Sequence, residues 1–205
     1  MDLRRLTTAT RAGLPVVLSP LTAADAERVC ELVQDPEIPR WTTVPSPYSL
    51  ADAERFVNEF AATAWHQLAD GTYTTERGGP EVVWGVRIDD DSPLAGLHGS
   101  IGLRPAGDGA VEIGWWLGAE ARGLGLMRAA VARLVALAFS ADAPFQATAV
   151  HWHAFIGNRA SAVIAQRTGF RYTGIEEKFD RPHWSAIIHP GDPIAPRDDW
   201  PDLGD

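Results

Sequence analysis

The order of the elements in this 205-residue sequence predicts an α+β fold around a largely antiparallel sheet. One short strand and two helical segments come first, and a three-strand meander follows at 82–88, 97–103 and 111–117. A helix, a strand, a second helix and the last strands complete the order. Strands joined by short turns favour antiparallel pairing, and such a meander among helices is typical of the α+β class.

Two capping signals begin the N-terminal helices, which follow a strand predicted at 16–18. Thr22 and Asp25 have capping-box spacing, and apolar residues then recur at helical intervals at Ala26, Val29, Cys30 and Val33. The residue before a proline avoids the helical region, so Pro36 ends this helix. Residues 40–48 are predicted as a loop. Ser49 and Asp52 repeat the capping signal, and the second apolar face comprises Ala53, Phe56, Val57 and Phe60.

The second half of the chain alternates strands with helices. In the strand at 111–117, alternation places Glu112, Gly114 and Trp116 on one face and Val111, Ile113, Trp115 and Leu117 on the other. A helix follows, ended by Pro144, and the next strand is predicted at 147–152. Asn158 caps a helix whose inward residues are predicted to be Ala160, Val163 and Ile164. Gly169 stands where a left-handed C-cap belongs, before strands at 170–173 and 183–188.

The composition indicates one cytoplasmic domain with no nucleic-acid or membrane partner. With 18 basic and 27 acidic residues the net charge is −9, whereas nucleic acids and anionic membranes attract basic surfaces. No apolar run reaches the ~18 residues of a membrane helix. The single cysteine, Cys30, excludes an internal disulfide. We expect a flexible N-terminus over 1–13, one domain over 14–189 and an irregular, proline-rich tail over 190–205.

A glycine-rich turn before the helix that follows strand 111–117 predicts a phosphate or pyrophosphate site. Gly123 and Gly125 let the backbone approach a ligand closely, and the helix N-terminus presents free N–H groups and a positive partial charge. A Rossmann dinucleotide site is disfavoured, because Arg128 stands where a third small residue is required and the next strand lacks an acidic residue for the ribose. A P-loop is excluded because no Gly-Lys-Ser/Thr follows.

Several motifs accompany the glycine turn. Arg122-Gly-Leu-Gly125-Leu-Met127 is followed by Asn158-Arg-Ala-Ser161 and by Gly169-Phe170. Together with the opening helices and the strand Ile113-Gly-Trp-Trp-Leu117, they resemble the GNAT N-acetyltransferases of the RimJ/RimL type. The superfamily pattern Arg/Gln-x-x-Gly-x-Gly/Ala is matched except that Met127 replaces the last small residue. The resemblance covers about residues 14–176.

The resemblance implies a splayed sheet and an enzyme that transfers the acetyl group of acetyl-CoA to a primary amine by direct attack. The implied cofactor-binding residues are Trp115, Trp116, Leu117, Arg122, Gly123, Leu124, Gly125, Leu126, Met127 and Asn158. Ser161 would protonate the leaving thiolate. The implied acceptor is a protein N-terminus or a small amine, and a homodimer is compatible with the family. Two alternatives stay open: an aminoglycoside-type enzyme with an acidic pocket around Glu176 and Glu177, and a CoA-binding module without catalysis.

The amine must lose a proton before it attacks the thioester, so the reaction needs a base. Glu112 is one candidate, because it shares a strand face with Trp116 close before the glycine turn. His98 on the neighbouring strand is another, since imidazole titrates near neutral pH, and water is the third. The residues expected to wall the acceptor site are Trp41, Tyr48, Phe179 and Trp184. His151 and His153 share a strand face, but no third ligand is evident and we predict no metal site.

Overall fold

Eight strands form one sheet in the computed structural model, which describes residues 2–178 and 180–202. The strands are β1 (Leu6–Ala9), β2 (Pro15–Ser19), β3 (Val82–Ile88), β4 (Gly96–Gly107), β5 (Ala110–Leu117), β6 (Val150–Phe155), β7 (Arg171–Lys178) and β8 (Arg181–Ile188). Their order is β1-β2-β3-β4-β5-β6-β8-β7, and each neighbouring pair is antiparallel except β5 with β6. The predicted fold class and meander are confirmed.

The helices lie in three of the connections between strands. Those between β2 and β3 are α1 (Ala26–Val33), α2 (Glu37–Trp41), α3 (Leu50–Arg55) and α4 (Ala61–Asp70), with a π-helical segment at Phe56–Phe60 between the last two. Helix α5 (Leu126–Ala138) connects β5 to β6, and α6 (Arg159–Arg167) connects β6 to β7. Among the helices of the described residues, none is long and apolar enough to cross a membrane.

The parallel neighbours β5 and β6 separate before either strand ends. The last residues paired between them are Ile113 and Trp152. Beyond this point β5 stays paired with β4 up to Leu117, while β6 stays paired with β8 up to Phe155. The sheet is therefore splayed open beside β5 from Gly114 onward, as the family resemblance implied.

Apolar side chains cover both faces of the sheet. Val82 and Trp84 of β3 belong to the larger cluster, together with residues of α5 and α6. Val83, which lies between them in sequence, belongs to a smaller cluster that includes Val29 of α1 and Ala53 of α3. Successive residues of a strand point to opposite faces, so the two clusters pack on opposite sides of the sheet.

Both predicted capping boxes form. The Ser49 N–H donates to Asp52 Oδ2 at 2.9 Å, and the Asp52 N–H donates back to Ser49 Oγ at 3.2 Å. The Thr22 N–H donates to Asp25 Oδ2 at 2.8 Å. These bonds satisfy N–H groups that lack a partner inside a helix, so local sequence determines where both helical segments begin.

The N-terminal segment forms a strand that the sequence did not predict. We expected residues 1–13 to be flexible, but Leu6–Ala9 pairs with β2 at the edge of the sheet and Leu6 is buried. Trp84 Nε1 also donates to the Leu3 carbonyl at 2.8 Å. The four residues of β1 show no clear alternation, so pairing with β2 rather than local pattern determines this strand.

Three details of the helices differ from prediction. Arg40 and Trp41, expected in a loop, belong to α2, which accommodates Pro39 because this proline lies in the first turn, where a helix does not need its missing N–H. Phe60, expected to face inward, is 52% exposed, since the π-helical segment changes the spacing of the face. In α6 the core residues are Ala162 and Ala165, whereas Val163 is exposed. The larger apolar residues of α6 instead line a cavity described below.

The proline-rich tail is irregular, as expected, yet it packs against α6 and the start of β7. The Arg197 N–H donates to the Gln166 carbonyl at 3.2 Å, and Trp200 Nε1 donates to the Phe170 carbonyl at 2.7 Å. The Trp200 ring lies 5.8 Å from that of Trp152. The tail therefore extends the core beyond the last strand.

Candidate active site

Two cavities of about 760 Å³ each meet at the splay. The turn cavity is lined by the glycine turn, the first residues of α5 and one face of α6. The aromatic cavity is lined by residues between 41 and 63 and by strands of the central sheet. The residues that line both are Trp41, Thr42, Trp115, Trp116, Asn158 and Ser161. Molecules bound in the two cavities can therefore meet at these residues.

The turn cavity has open backbone at its centre. Gly123 and Gly125 have φ angles of 80° and 83°, in the left-handed region that favours glycine. A Cβ at Gly123 would have nothing within 4 Å, so this backbone is open to a ligand. Helix α5 begins after Gly125, and in the described part of the chain no side chain caps its first N–H groups. All ten residues that the resemblance implied for the cofactor line this cavity.

Four arginines give the turn cavity a positive field within an acidic protein. Arg11, Arg122, Arg128 and Arg167 all line it. Partial burial, together with the charges of Arg11 and Arg167, lowers the pKa of Arg128. Arg122 is bound to Asp35 and donates to the Leu117 carbonyl at 3.0 and 3.2 Å, so it braces the strand end as well as adding charge. Like charges gathered around free N–H groups suit a ligand with several phosphates.

Ser161 lies where the two cavities meet, in the first turn of α6. Its N–H donates to Asn158 Oδ1 at 3.2 Å, which confirms Asn158 as the cap of α6. Trp152 Nε1 donates to Ser161 Oγ at 3.1 Å. Because the indole occupies one lone pair of the hydroxyl, the O–H hydrogen is available to an acceptor in the cavities. The geometry therefore allows Ser161 to act as a proton donor.

Aromatic side chains from the α2–α4 region wall the other cavity. Trp41 and Tyr48, both predicted for this role, line it, and Trp41 Nε1 donates to Glu37 Oε2 at 2.8 Å. Burial, with the negative charge of Asp52, raises the pKa of Tyr48 to about 12, so its phenol stays neutral. Sequence reasoning did not assign Phe56 and Phe60 to this wall, where their rings stack 5.8 Å apart. The π-helical segment that brings them there had no signal in the pattern.

Trp184 does not wall the acceptor site as predicted. Its side chain is 4% exposed and belongs to the larger core cluster. The neighbouring His183, on the opposite face of β8, lines the aromatic cavity instead. The error is one of strand phase, because a shift by one residue exchanges the two faces. Phe179, the remaining predicted wall residue, lies outside the described residues.

Glu112 lines the aromatic cavity, but its surroundings favour a fixed anion. Arg104 donates to Glu112 Oε1 at 2.8 Å, Lys178 binds Oε2, and His153 Nδ1 lies 3.3 Å from Oε2. Burial alone would raise the pKa of Glu112, but the bonds from His153 and Lys178 and the charge of Arg104 lower it to about 2. A carboxylate held this way is a weak proton acceptor at neutral pH, so the geometry opposes the predicted role as base.

His98 is not among the described residues that line either cavity, contrary to its predicted role as a base. Its Nδ1 is 2.9 Å from Glu120 Oε1 and its Nε2 is 2.7 Å from the Leu94 carbonyl. Pairing of β4 with β3 shifts at this point, since Leu97 and Gly99 pair with adjacent residues of β3 and His98 is the extra residue. This bulge breaks the alternation on which the prediction depended.

Glu81 is a cavity residue that the sequence reasoning missed. It immediately precedes β3 and lines the aromatic cavity. Burial, together with the negative charge of Glu112, raises its pKa to about 7 against the opposing charge of Arg104. The only local signal is a carboxylate at the start of a strand, after Pro80, and such a residue is ordinarily solvated.

Of the two histidines of β6, His153 contacts carboxylates. The rings of His151 and His153 stack with centroids 6.3 Å apart, and His153 Nε2 lies 3.2 Å from Glu176 Oε2. Ser185 Oγ donates to Glu176 Oε1 at 2.7 Å and is the main reason that the pKa of Glu176 is lowered. Within residues 2–178 and 180–202, no group of three or more His, Cys, Asp or Glu side chains could hold a metal ion.

The splayed sheet and the paired cavities agree with the fold of the acyl-CoA-dependent transferases that the sequence resembles. A family model for the acetyltransferase (GNAT) domain matches residues 16–171. Because this match extends over more than half of the chain, the protein belongs to the GNAT acetyltransferases, which are acetyl-CoA-dependent N-acetyltransferases.

Solved structures with the same fold include enzymes of the RimJ/RimL type. Mycobacterium smegmatis RimJ in complex with a CoA disulfide has 17% identity and a TM-score of 0.65, covering 91% of this chain and 87% of that one. RimL, the ribosomal L7/L12 α-N-protein acetyltransferase in complex with coenzyme A, has 14% identity and a TM-score of 0.65, covering 85% and 93%. The ribosomal-protein-S5-alanine acetyltransferase of Vibrio fischeri has 14% identity and a TM-score of 0.67, covering 91% and 98%. A search of curated proteins gave no match.

Proposed function

We propose that the protein transfers the acetyl group of acetyl-CoA directly to a primary amine while both substrates are bound. The observation that carries this proposal is the meeting of two similar cavities at Ser161 and Trp115. One cavity would hold the cofactor and the other the acceptor, with the thioester at their junction. Cys30, the chain's single thiol, lines neither cavity, which disfavours an acetyl-cysteine intermediate.

The turn cavity would hold the cofactor. The backbone N–H groups from Gly123 to Met127 would bind the pyrophosphate, because they lie at the positive end of α5 and no loop or cap hydrogen bond from them occurs within the described residues. Arg11, Arg128 and Arg167 would add charge for the cofactor's phosphates. The pantetheine arm would run along 115–117, where β5 has no partner on the β6 side. These residues bind and orient the thioester.

Ser161 and Asn158 would act at the junction. The Ser161 hydroxyl would give its proton to the departing thiolate, and the Asn158 amide N–H₂, whose oxygen already caps α6, would be left to bind the pantetheine arm. The proton supplied to sulfur makes the thiolate a better leaving group. Domain 14–189 is the proposed catalytic unit.

The acceptor we favour is the N-terminal amine of a peptide. Within the part of the chain that the structure describes, the aromatic cavity has four carboxylates, and its cations Arg55, Arg104 and Lys178 pair with Asp52 and Glu112. Its charge is therefore close to balanced, which suits a single ammonium group better than a polycationic aminoglycoside. Neither Glu176 nor Glu177 is among the described lining residues, so the acidic pocket expected around these two residues for an aminoglycoside-type enzyme does not form there. The relatives named for ribosomal proteins are consistent with a peptide acceptor.

The test is to offer acetyl-CoA with a hexapeptide that has a free N-terminal serine, or with kanamycin. We expect thiol release and an acetylated peptide by mass spectrometry, little reaction with kanamycin, and initial-rate plots that intersect. Acetyl-CoA at 100 times its Kd should also add about 2.7 kcal/mol to the free energy of unfolding and thereby raise the Tm. Acetylated protein formed without any acceptor would contradict direct transfer, and an unchanged Tm would contradict the cofactor site.

A further inference from the structure

We propose that Glu81, rather than Glu112 or His98, accepts the proton that the acceptor's ammonium group must lose. This assignment rests on the proposed function and names the group that performs one of its steps. It follows from where the Glu81 carboxylate lies and from what surrounds it.

The Glu81 carboxylate lies over a part of the sheet that has no side chains. A Cβ at Gly102 of β4 would occupy the position of this carboxylate. Gly102 pairs with Gly114 of β5, and both glycines line the aromatic cavity. Gly114 is also the first residue of β5 beyond the pairing with β6. The surface beneath Glu81, where Gly102 and Gly114 have no side chains, therefore extends across β4 and β5 to the splay, where the two cavities meet.

Within residues 2–178 and 180–202, nothing donates a hydrogen bond to the Glu81 carboxylate or forms an ion pair with it. Glu112, one strand further along, is bound by both Arg104 and Lys178. The cations of this region are thus committed to Glu112. Of the two carboxylates in this part of the aromatic cavity, Glu81 is the one with lone pairs open to a substrate.

The charges around Glu81 come from several elements. The ionisable groups that interact with it or share its cavity are Tyr73, Arg104 on β4, Glu112 on β5, His153 on β6, Lys178 on β7, His183 on β8, and Tyr48, Asp52, Arg55 and Glu59 on the α3 side. Burial and Glu112 favour the protonated form, while Arg104 favours the ionised form. The resulting pKa of about 7 lets Glu81 both take and release a proton near neutral pH.

The reaction then balances in protons and electrons. The ionised carboxylate takes one proton from R–NH₃⁺, and the nitrogen lone pair forms a bond to the thioester carbonyl carbon. The C–S bond breaks and its electron pair leaves on sulfur, which takes a proton from the Ser161 hydroxyl. After attack, the nitrogen carries one proton more than the amide product, and it returns this proton to the Ser161 oxygen. Glu81 releases to water the proton that it took from the ammonium group. The products are the acetylated amine, free CoA and one proton.

The experiment compares the wild-type chain with E81Q and with the control E54Q. Glu54 is an exposed carboxylate of α3 that lines neither cavity, and within the described residues its side chain makes no hydrogen bond or ion pair. Three quantities are measured: the Kd for CoA, the titration of glutamate carboxyl carbons by ¹³C NMR, and the rate of acetylation of the N-terminal serine hexapeptide from pH 6 to 9. Equal CoA affinity in the three proteins shows that each is folded.

We expect a carboxyl signal that titrates near pH 7 in the wild type and in E54Q and is missing in E81Q. At pH 7, E81Q should acetylate the peptide about 10²-fold more slowly than the wild type, the low end for a lost general base. The deficit should shrink as pH rises, because the amine then loses its proton to solvent. E54Q should follow the wild-type profile.

Two outcomes overturn the assignment and can be told apart. An E81Q variant that matches the wild-type rate across the pH range, with CoA affinity intact, would overturn the role of Glu81 and leave the proposed function standing. A wild-type protein that binds CoA but acetylates no peptide would overturn the proposed function and the role of Glu81 together.

Discussion

Replacing Ser161 with alanine should weaken both the fold and the reaction, by amounts that can be separated. Trp152 is 1% exposed and its Nε1 donates to Ser161 Oγ, so alanine leaves a buried N–H without its acceptor. Such an orphaned donor costs about 1–3 kcal/mol of unfolding free energy. In a chain of this length each kcal/mol lowers the Tm by about 2–4 °C, so S161A should melt roughly 2–12 °C below the wild type.

The catalytic loss should be larger than the stability loss implies. If the hydroxyl protonates the thiolate, acetylation of the N-terminal serine peptide should fall by about 10²-fold. The Kd for CoA should change little, because the proposed phosphate contacts come from the glycine turn and the arginines. The assay is single-turnover acetylation well below the Tm of the variant, with the Tm measured by calorimetry in the same buffer.

A second substitution separates the two effects. W152F removes the indole donor, so the double variant S161A/W152F has no unpaired N–H. Relative to W152F alone, the added serine substitution should then cost little stability while the rate still falls. An S161A variant that keeps the wild-type Tm would show that the indole hydrogen bond does not contribute to stability. An unchanged rate of S161A, on an acceptor that the wild type acetylates, would refute the role of the hydroxyl as proton donor.

Three further variants test other parts of the site. G125V should abolish CoA binding, because a side chain at this left-handed position is strained and fills the space proposed for the pyrophosphate. Isothermal titration would measure the CoA affinity, and an unchanged affinity would show that the pyrophosphate binds elsewhere. E112Q should have a lower free energy of unfolding than the wild type at pH 7, and the two values should become equal in acid. The pKa of Glu112 is lowered to about 2 in the folded protein, so the carboxylate's contribution to stability is complete above about pH 4.5 and is lost as pH falls towards 2. Urea unfolding between pH 2 and 7 would check this, and parallel curves would refute it. G102A should slow acetylation without changing CoA affinity, since its methyl group displaces the Glu81 carboxylate; an unchanged rate would count against the position given to Glu81.

The parts of the site that follow from local sequence could be predicted. The turn at Gly123 and Gly125, the start of α5 and the Asn158 cap each depend on a few consecutive residues. Hydrogen bonds that satisfy helix N-termini form within such short stretches, so motif spacing was sufficient to place them. The same holds for the two capping boxes of the N-terminal helices.

The residues that sequence reasoning misplaced depend on contacts between distant parts of the chain. The local pattern made Glu112 a reasonable candidate base, but in the folded chain its carboxylate is bound by Lys178, which lies 66 residues away in sequence. The role predicted for His98 was wrong because one extra residue in β4 breaks the alternation of its side chains. The role predicted for Trp184 was wrong because its side chain lies on the core face of β8. None of these three leaves a signal in its own segment, since alternation alone does not reveal bulges or which face meets the core.

Glu81 shows the same limit from the opposite side. Its segment has only a proline and the start of a strand, yet its environment is built by β4, β5 and the loop after α4. A raised pKa comes from burial and from a neighbouring carboxylate, both of which exist only after the sheet has formed.

The splay gives the sheet a free edge in its interior. From Gly114 to Leu117 the backbone has no strand beside it where β6 has turned away, and Arg122 closes the far end by donating to the Leu117 carbonyl. Free edges ordinarily recruit another strand and promote aggregation, but this one is flanked by β6 and by tryptophans. A slender chain with two amides, such as pantetheine, has the groups to stand in as a removable strand. Each catalytic cycle would then complete and reopen the sheet, and amide hydrogen exchange at 114–117 should slow whenever CoA is bound.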